Sequence, residues 1–212
     1  MSARTAAPRS STAAQKRQAV ARRRRFGWLL GAALATVAAI VVLTPVDKVV
    51  KEFQLPLQHE DIIRQQAADK DLDPALIAAV IYTESRFQDQ TSSAGAQGLM
   101  QLLPSTAHYI ANLSGGTAFE DGDLATPQIN IAYGSYYLHY LLEKYRGSEV
   151  LALAAYNAGE GKVDEWLAGA AATGETFRVA KHIPFAETRE YVTNVLNARA
   201  EYRKQYAHEL GL

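Results

Sequence analysis

The sequence contains no cysteine, which excludes a disulfide framework and thiolate metal sites while leaving the redox compartment open. Its five histidines, His59, His108, His139, His182 and His208, are scattered singly with no His-Glu-x-x-His pairing, so no metal and no cofactor is implied. A glycine loop followed by Lys-Ser or Lys-Thr is also missing, which argues against nucleotide chemistry. Acidic residues are absent before Asp47, where Arg4, Arg9, Lys16, Arg17 and Arg22 to Arg25 stand alone. The formal net charge of zero therefore hides two opposite parts. With 8 of the 22 basic residues lying before Asp47, 14 remain against 22 acidic ones, about −8 from Asp47 onward. A domain of that sign offers no basic face, so no nucleic acid partner is expected. No stretch alternates with period two for long enough to build a sizeable sheet, and no internal repeat is present.

Residues 1–25 are rich in Ala, Ser, Thr and Arg with almost no large apolar side chain, which predicts a disordered basic cytoplasmic tail. Phe26 to Leu43, FGWLLGAALATVAAIVVL, then runs 18 residues without a charge, close to the length that crosses a bilayer core as a helix. The expectation is a single transmembrane anchor over 26–45, with Arg22 to Arg25 on the cytoplasmic side and everything from Asp47 exported. A cleaved signal peptide competes with this reading. It would want a shorter apolar core and a small-x-small site, whereas this core ends in Val41-Val42-Leu43-Thr44-Pro45. A buried helix of a soluble domain is disfavoured because the segment is apolar on every side.

A linker over 46–57, one folded domain over 58–207 and a C-terminal tail over 208–212 complete the expected organisation. Apolar residues at three and four spacing predict helices over about 58–69, 74–86, 104–113, 127–145, 148–157, 160–168 and 185–207. Asp73-Pro74 supplies a capping residue and a first-turn proline, and Gly115-Gly116, Gly159 and Gly161 punctuate later segments. Residues 97–102 are the candidate for a short extended piece. The fold class is mainly α.

Ala75-Leu76-Ile77-Ala78-Ala79-Val80-Ile81-Tyr82-Thr83-Glu84 is a nearly all-apolar helix that ends in a carboxylate. A helix this apolar must be buried, which sets Glu84 at the rim of the core, where desolvation disfavours its charged form. A carboxyl group kept protonated near neutral pH suits a general acid that protonates a glycosidic oxygen. The alternative is an exposed residue at a helix end paired with Arg86.

Four stretches decide between these readings: Glu84-Ser85-Arg86-Phe87, Gly98-Leu99-Met100-Gln101-Leu102, Tyr156-Asn157-Ala158-Gly159, and Ile183-Pro184-Phe185-Ala186-Glu187-Thr188-Arg189-Glu190-Tyr191-Val192. At these places the chain resembles the catalytic domain of the lytic transglycosylases of the soluble (Slt) type, relatives of goose-type lysozyme. The resemblance covers roughly Leu55 to Tyr206. It implies a lysozyme-like helical fold with a groove for peptidoglycan glycan strands. It also implies cleavage of the β-1,4 bond between N-acetylmuramic acid and N-acetylglucosamine, on the cell-wall side of the cytoplasmic membrane.

By motif position the resemblance makes Glu84 the catalytic residue, first acid and then base. The muramic C6 hydroxyl attacks its own C1 and leaves a 1,6-anhydro end, so no second carboxylate is needed, unlike the two-carboxylate glycosidases. Substrate-binding residues implied in the same way are Ser92, Met100, Gln101, Tyr156, Asn157, Glu187 and Tyr191. Five of these have a plainer reading: core packing for Met100, Tyr156 and Tyr191, helix capping for Asn157, and an ion pair with Arg189 for Glu187. The loop after Glu84 is one residue shorter than the family pattern, which leaves the serine assignment between Ser92 and Ser93. Rival functions are a hydrolytic muramidase on the same fold and a weakly active glycan-binding module of an envelope-spanning assembly.

Overall fold

The computed structural model describes residues 54–116 and 118–212, and these form a mainly helical domain. The expected tail over 1–25, the apolar anchor over 26–45 and the linker as far as residue 53 lie outside the described residues. Among the described residues no helix is long and apolar enough to cross a membrane. The helices are α1 (Glu60–Lys70), α2 (Pro74–Ser85), α3 (Pro104–Ser114), α4 (Pro127–Lys144), α5 (Glu149–Ala158), α6 (Glu160–Ala172), α7 (Val179–His182), α8 (Ala186–Gln205) and α9 (Ala207–Leu210), with a 3₁₀ turn at Asp121–Ala125 before α4. The first six long segments and α8 follow the apolar periodicity closely. The 3₁₀ turn, α7 and α9 are too short to leave a periodic signal, and α6 runs past residue 168 to Ala172.

α2 is the central helix. Ala75 to Ile81 are each no more than 2% exposed, because the helix is apolar all round and is covered on every side. α8 packs along α2 and α5, and α4 packs along α5 and α1. At its start, Asp73 accepts the Ala75 amide at 3.0 Å and Pro74 occupies the first turn, where its missing N–H costs nothing. At its end, Arg86 and Phe87 both adopt left-handed backbone, with φ of 53° and 61°. Burial of the Phe87 ring against Tyr202, 6.3 Å between centroids, drives this abrupt exit.

Two expected boundaries are corrected. Leu55, assigned to the linker, is buried in the core, and its carbonyl accepts the Tyr206 hydroxyl at 2.8 Å while Pro56 accepts that of Tyr202. Leu210, assigned to the C-terminal tail, is 1% exposed because α9 folds back onto α1. Apolar contacts that close the domain at both ends cannot be read from local sequence.

The candidate active site

The C-terminal ends of α2 and α5 and the N-terminal end of α8 converge on one groove with a cavity volume of about 470 Å³. That size suits a small oligosaccharide segment. Glu84 lines it from the last turn of α2, Thr106 from α3, Tyr137 from α4, Tyr156 to Gly159 from the end of α5 and Glu187 from the first turn of α8. The loop between α2 and α3 contributes Ser92, Ala94, Ala96 and Gln101 to Leu103. Thr83 and Ser85 turn their hydroxyls back to the carbonyls of Ala79 and Ile81 at 2.8 and 3.1 Å, which leaves Glu84 to face the groove from this turn.

Burial raises the Glu84 carboxyl from its ordinary 4.5 to about 7. The Tyr191 hydroxyl opposes that shift without cancelling it. It is buried close enough to favour the ionised carboxylate, yet it lies outside normal hydrogen-bond geometry and has no hydrogen-bond partner among the described residues. Burial pushes the phenols of Tyr156 and Tyr191 well above their ordinary range, and the nearby Glu84 charge adds to this. Both remain protonated hydrogen-bond donors near neutral pH.

The groove loop is held from behind by a residue that the sequence did not single out. Asn130, on α4, is fully buried; its Oδ1 accepts the Met100 amide at 2.8 Å, and its Nδ2 donates to the carbonyls of Gln97 and Leu124, each at 3.0 Å. Gly98 passes directly over this amide with φ of 75°, and a Cβ there would fall 2.1 Å from Asn130 Nδ2. Residues 97–102 fold back on themselves, with the Gln97 and Leu102 backbones paired at 2.9 and 3.0 Å. On the groove side, the Tyr156 hydroxyl donates to the Met100 carbonyl at 3.0 Å.

Six of the residues named from sequence, Glu84, Ser92, Gln101, Tyr156, Asn157 and Glu187, line the groove together. Of the two serines, Ser92 is the one that lines it, and its Oγ accepts the Ala96 amide at 3.0 Å. The Gln101 amide is tied back to the carbonyls of Gln90 and Gly98 at 2.9 and 2.7 Å, and its Cα carries φ of 49°. Asn157 Oδ1 accepts the buried Thr188 hydroxyl at 2.8 Å, linking α5 to α8. Arg189 donates to the carbonyls of Ile183 and Pro184, and Glu187 makes no ion pair among the described residues. The alternative of a Glu187–Arg189 pair is therefore not what the structure contains.

Two expectations are corrected. The Met100 side chain does not reach the groove: it is 0% exposed and packs on Gly134, where an added Cβ would fall 2.4 Å from its sulfur. Its contribution is made by its backbone. Tyr191 is 7% exposed and lies behind Glu84, where it does not line the groove. The reverse errors are Leu103, 40% exposed at the groove edge, and Tyr137, whose ring lies 5.5 Å from that of Tyr156. Their spacing reads as ordinary amphipathic patterning, so no local signal separates them from core residues.

Residues 61–177, more than half of the chain, match the family model "Transglycosylase SLT domain". The "Soluble lytic murein transglycosylase" of Salmonella typhimurium is 36% identical over 154 residues, covering 72% of this chain and 24% of that protein. The 70 kDa soluble lytic transglycosylase of Escherichia coli superposes with a TM-score of 0.67 at 32% identity, over 75% of this chain and 26% of that one. An inactive Glu-to-Gln mutant of the lytic transglycosylase Slt from Pseudomonas aeruginosa superposes with a TM-score of 0.66 at 30% identity, over 86% of this chain and 30% of that one. The chain thus spans about a quarter of the length of the curated relative. With its helical, lysozyme-like architecture and the match over most of the described domain, this chain belongs to the transglycosylase SLT domain family.

Proposed function

We propose that this chain is a peptidoglycan lytic transglycosylase that cleaves the β-1,4 bond between N-acetylmuramic acid and N-acetylglucosamine, with Glu84 as its acid and base. The single observation that carries the reading is the buried Glu84 carboxyl at the groove, raised to about 7 and so still protonated in a large share of molecules at neutral pH and in most of them below it. In its acid form Glu84 gives its proton to the glycosidic oxygen as the bond to muramic C1 breaks. The carboxylate then accepts the proton of the C6 hydroxyl as that oxygen bonds to C1. Glu84 ends as it began, and no water is consumed. Tyr191, behind the carboxylate, stabilises the transient charge. Ser92, Gln101, Asn157 and Glu187 supply polar groups along the groove for the sugar chain, and Tyr156 and Tyr137 supply aromatic surface.

Glu187 gives one reason to keep a second reading, the hydrolytic muramidase. It is an unpaired carboxylate on the same groove, and a second carboxylate is what water activation requires. The two reactions separate by product mass: transglycosylation gives soluble muropeptides with anhydro ends, whereas hydrolysis gives reducing ends heavier by one water. Mass spectrometry of products from purified peptidoglycan tests the proposal, and reducing ends alone would replace it with the muramidase.

The domain acts beside the membrane in this reading. The uncharged run Phe26 to Leu43 behind Arg22 to Arg25 supports an N-terminal anchor with the domain on the cell-wall side. Retention of the full chain in membranes after alkaline carbonate washing is the expected result, and its release into the wash would contradict the anchor.

A further inference from the structure

The three helices that meet at the groove are also joined at their opposite ends. α2 starts after Asp73 and carries Glu84 in its last turn, while α5 starts at Glu149 and ends with Tyr156 and Asn157. α8 runs the other way, from Glu187 and Tyr191 to Arg199 and Arg203. Arg199 Nε donates to Asp73 Oδ2 at 2.5 Å, and its Nη1 reaches both carboxylate oxygens of Glu149 at 2.6 Å. Asp73 uses its other oxygen to cap α2, and Arg203 adds a bond of 2.8 Å to Oδ2. Among the described residues, Arg199 is the side chain whose ion pairs reach the starts of both α2 and α5.

The packing between these helices gives the clamp its importance. α2 and α5 bury alanines among larger side chains, Ala75, Ala78 and Ala79 on α2 and Ala152, Ala154 and Ala155 on α5, whereas α8 buries mainly larger residues, Tyr191, Val192, Val195 and Tyr202 beside Ala198. Small side chains make shallow ridges, which resist axial sliding less than interlocking large ones. A planar guanidinium that holds two carboxylates at fixed angles adds a directional constraint at the alanine-lined contacts of α2 and α5, and lysine, a point charge, cannot reproduce that fork. Asp73 and Arg199 are only 13% and 25% exposed in their side chains, so salt screens them less than surface pairs.

Given the role assigned to Glu84, we infer that Arg199 is a positioning residue, whose clamp fixes the axial register of α2 and α5 against α8. It thereby sets the spacing among Glu84, Tyr156 and Tyr191, which lie between about 10 and 16 Å further along their helices at ~1.5 Å per residue.

The test uses the full chain carrying Arg199→Met, Arg199→Lys or Arg203→Met. Two readouts are taken: carbon-13 NMR titration of the Glu84 carboxyl without substrate, and kcat and KM on peptidoglycan. In Arg199→Met, Glu84 is expected to titrate lower by about half a unit or more as water reaches the loosened carboxyl. kcat is expected to fall about tenfold or more, with KM changed by less than about twofold. Arg199→Lys falls between this variant and the parent. Arg203→Met lowers the unfolding midpoint but leaves titration and kcat alone, because its ion pair reaches Asp73 and not Glu149. Unchanged titration and kcat in the Arg199 variants, with only a lower unfolding midpoint, would overturn the inference. If Arg199→Met does not fold, an unchanged Glu84 titration in Arg199→Lys overturns it alone. The titration needs no turnover, so a parent chain that cleaves nothing would sink the proposed activity without deciding the clamp.

Discussion

The Tyr156 hydroxyl donates to the Met100 carbonyl at 3.0 Å, joining the end of α5 to the loop that follows Glu84. On the other side of the same residue, the Met100 amide donates to Asn130 at 2.8 Å. The groove loop is thus pinned on both its faces at a single peptide segment, by a phenol from the groove side and a buried amide from the core side. Met100 itself contributes volume, wedged against Gly134.

Replacing Tyr156 with Phe leaves the Met100 carbonyl without its donor. The expected cost is about 1–3 kcal/mol of stability, the penalty for an unsatisfied buried acceptor. The loss is expected to come with a lower kcat, as the loop gains freedom. Denaturant unfolding and steady-state kinetics on the same preparation check this.

Asn130→Ala is expected to be more damaging, because Met100 N–H and the Leu124 carbonyl lose the Asn130 amide together, and the Gln97 carbonyl keeps only its bond from the Leu102 amide. Gly98→Ala attacks the same joint by collision and adds strain at its positive φ. Thermal unfolding of both variants, each with a midpoint well below the parent, is the expected observation. A parent-like midpoint for either would contradict this account of the loop.

The fold was largely legible because apolar periodicity is a local signal. The helix over 74–86 announces itself by Asp73-Pro74 at its start and by seven successive buried residues, and Glu84 stands out as the charge at its end. Asn130 was not legible. A polar residue in a helix reads as solvent-facing, and only the fold brings it against a loop 30 residues earlier. Met100 stays open between groove and core for the complementary reason: its neighbours Gln101 and Leu102 line the groove, and only the packing reveals that its own side chain points inward.

Tyr191→Phe removes a hydroxyl that favours the charged form of Glu84. The Glu84 carboxyl is then expected to titrate higher, and the alkaline limb of the activity profile to move up with it. Below about pH 4.5, where Glu84 is protonated whether folded or unfolded, stability is expected to stay close to that of the parent, since the lost hydroxyl had no hydrogen-bond partner among the described residues. An alkaline limb that moves down would contradict the placement of the Tyr191 hydroxyl where it favours the charged carboxylate.

Activity of the parent is expected to decline as pH rises through about 7, where Glu84 loses the proton that it must donate. The stability sign follows from the same shift. A carboxyl raised from 4.5 to about 7 holds its proton in the folded state over a range where the unfolded chain has lost it. Stability therefore falls as pH rises across that window. Glu84→Gln removes the penalty. It is expected to be stabilising above about pH 7, by up to about 3 kcal/mol, and close to neutral below pH 4.5. Thermal unfolding of both proteins at the two ends of the window checks the sign.

The most direct test of the central claim is turnover by Glu84→Gln beside the parent on purified peptidoglycan. Soluble products are measured by mass spectrometry and retained binding by co-sedimentation. The account expects anhydro-muropeptides from the parent, none from the variant, and equal sedimentation of both with the glycan. Products released by the variant at the parent's rate would mean that another group supplies the proton, and that Glu84 is not the catalytic acid.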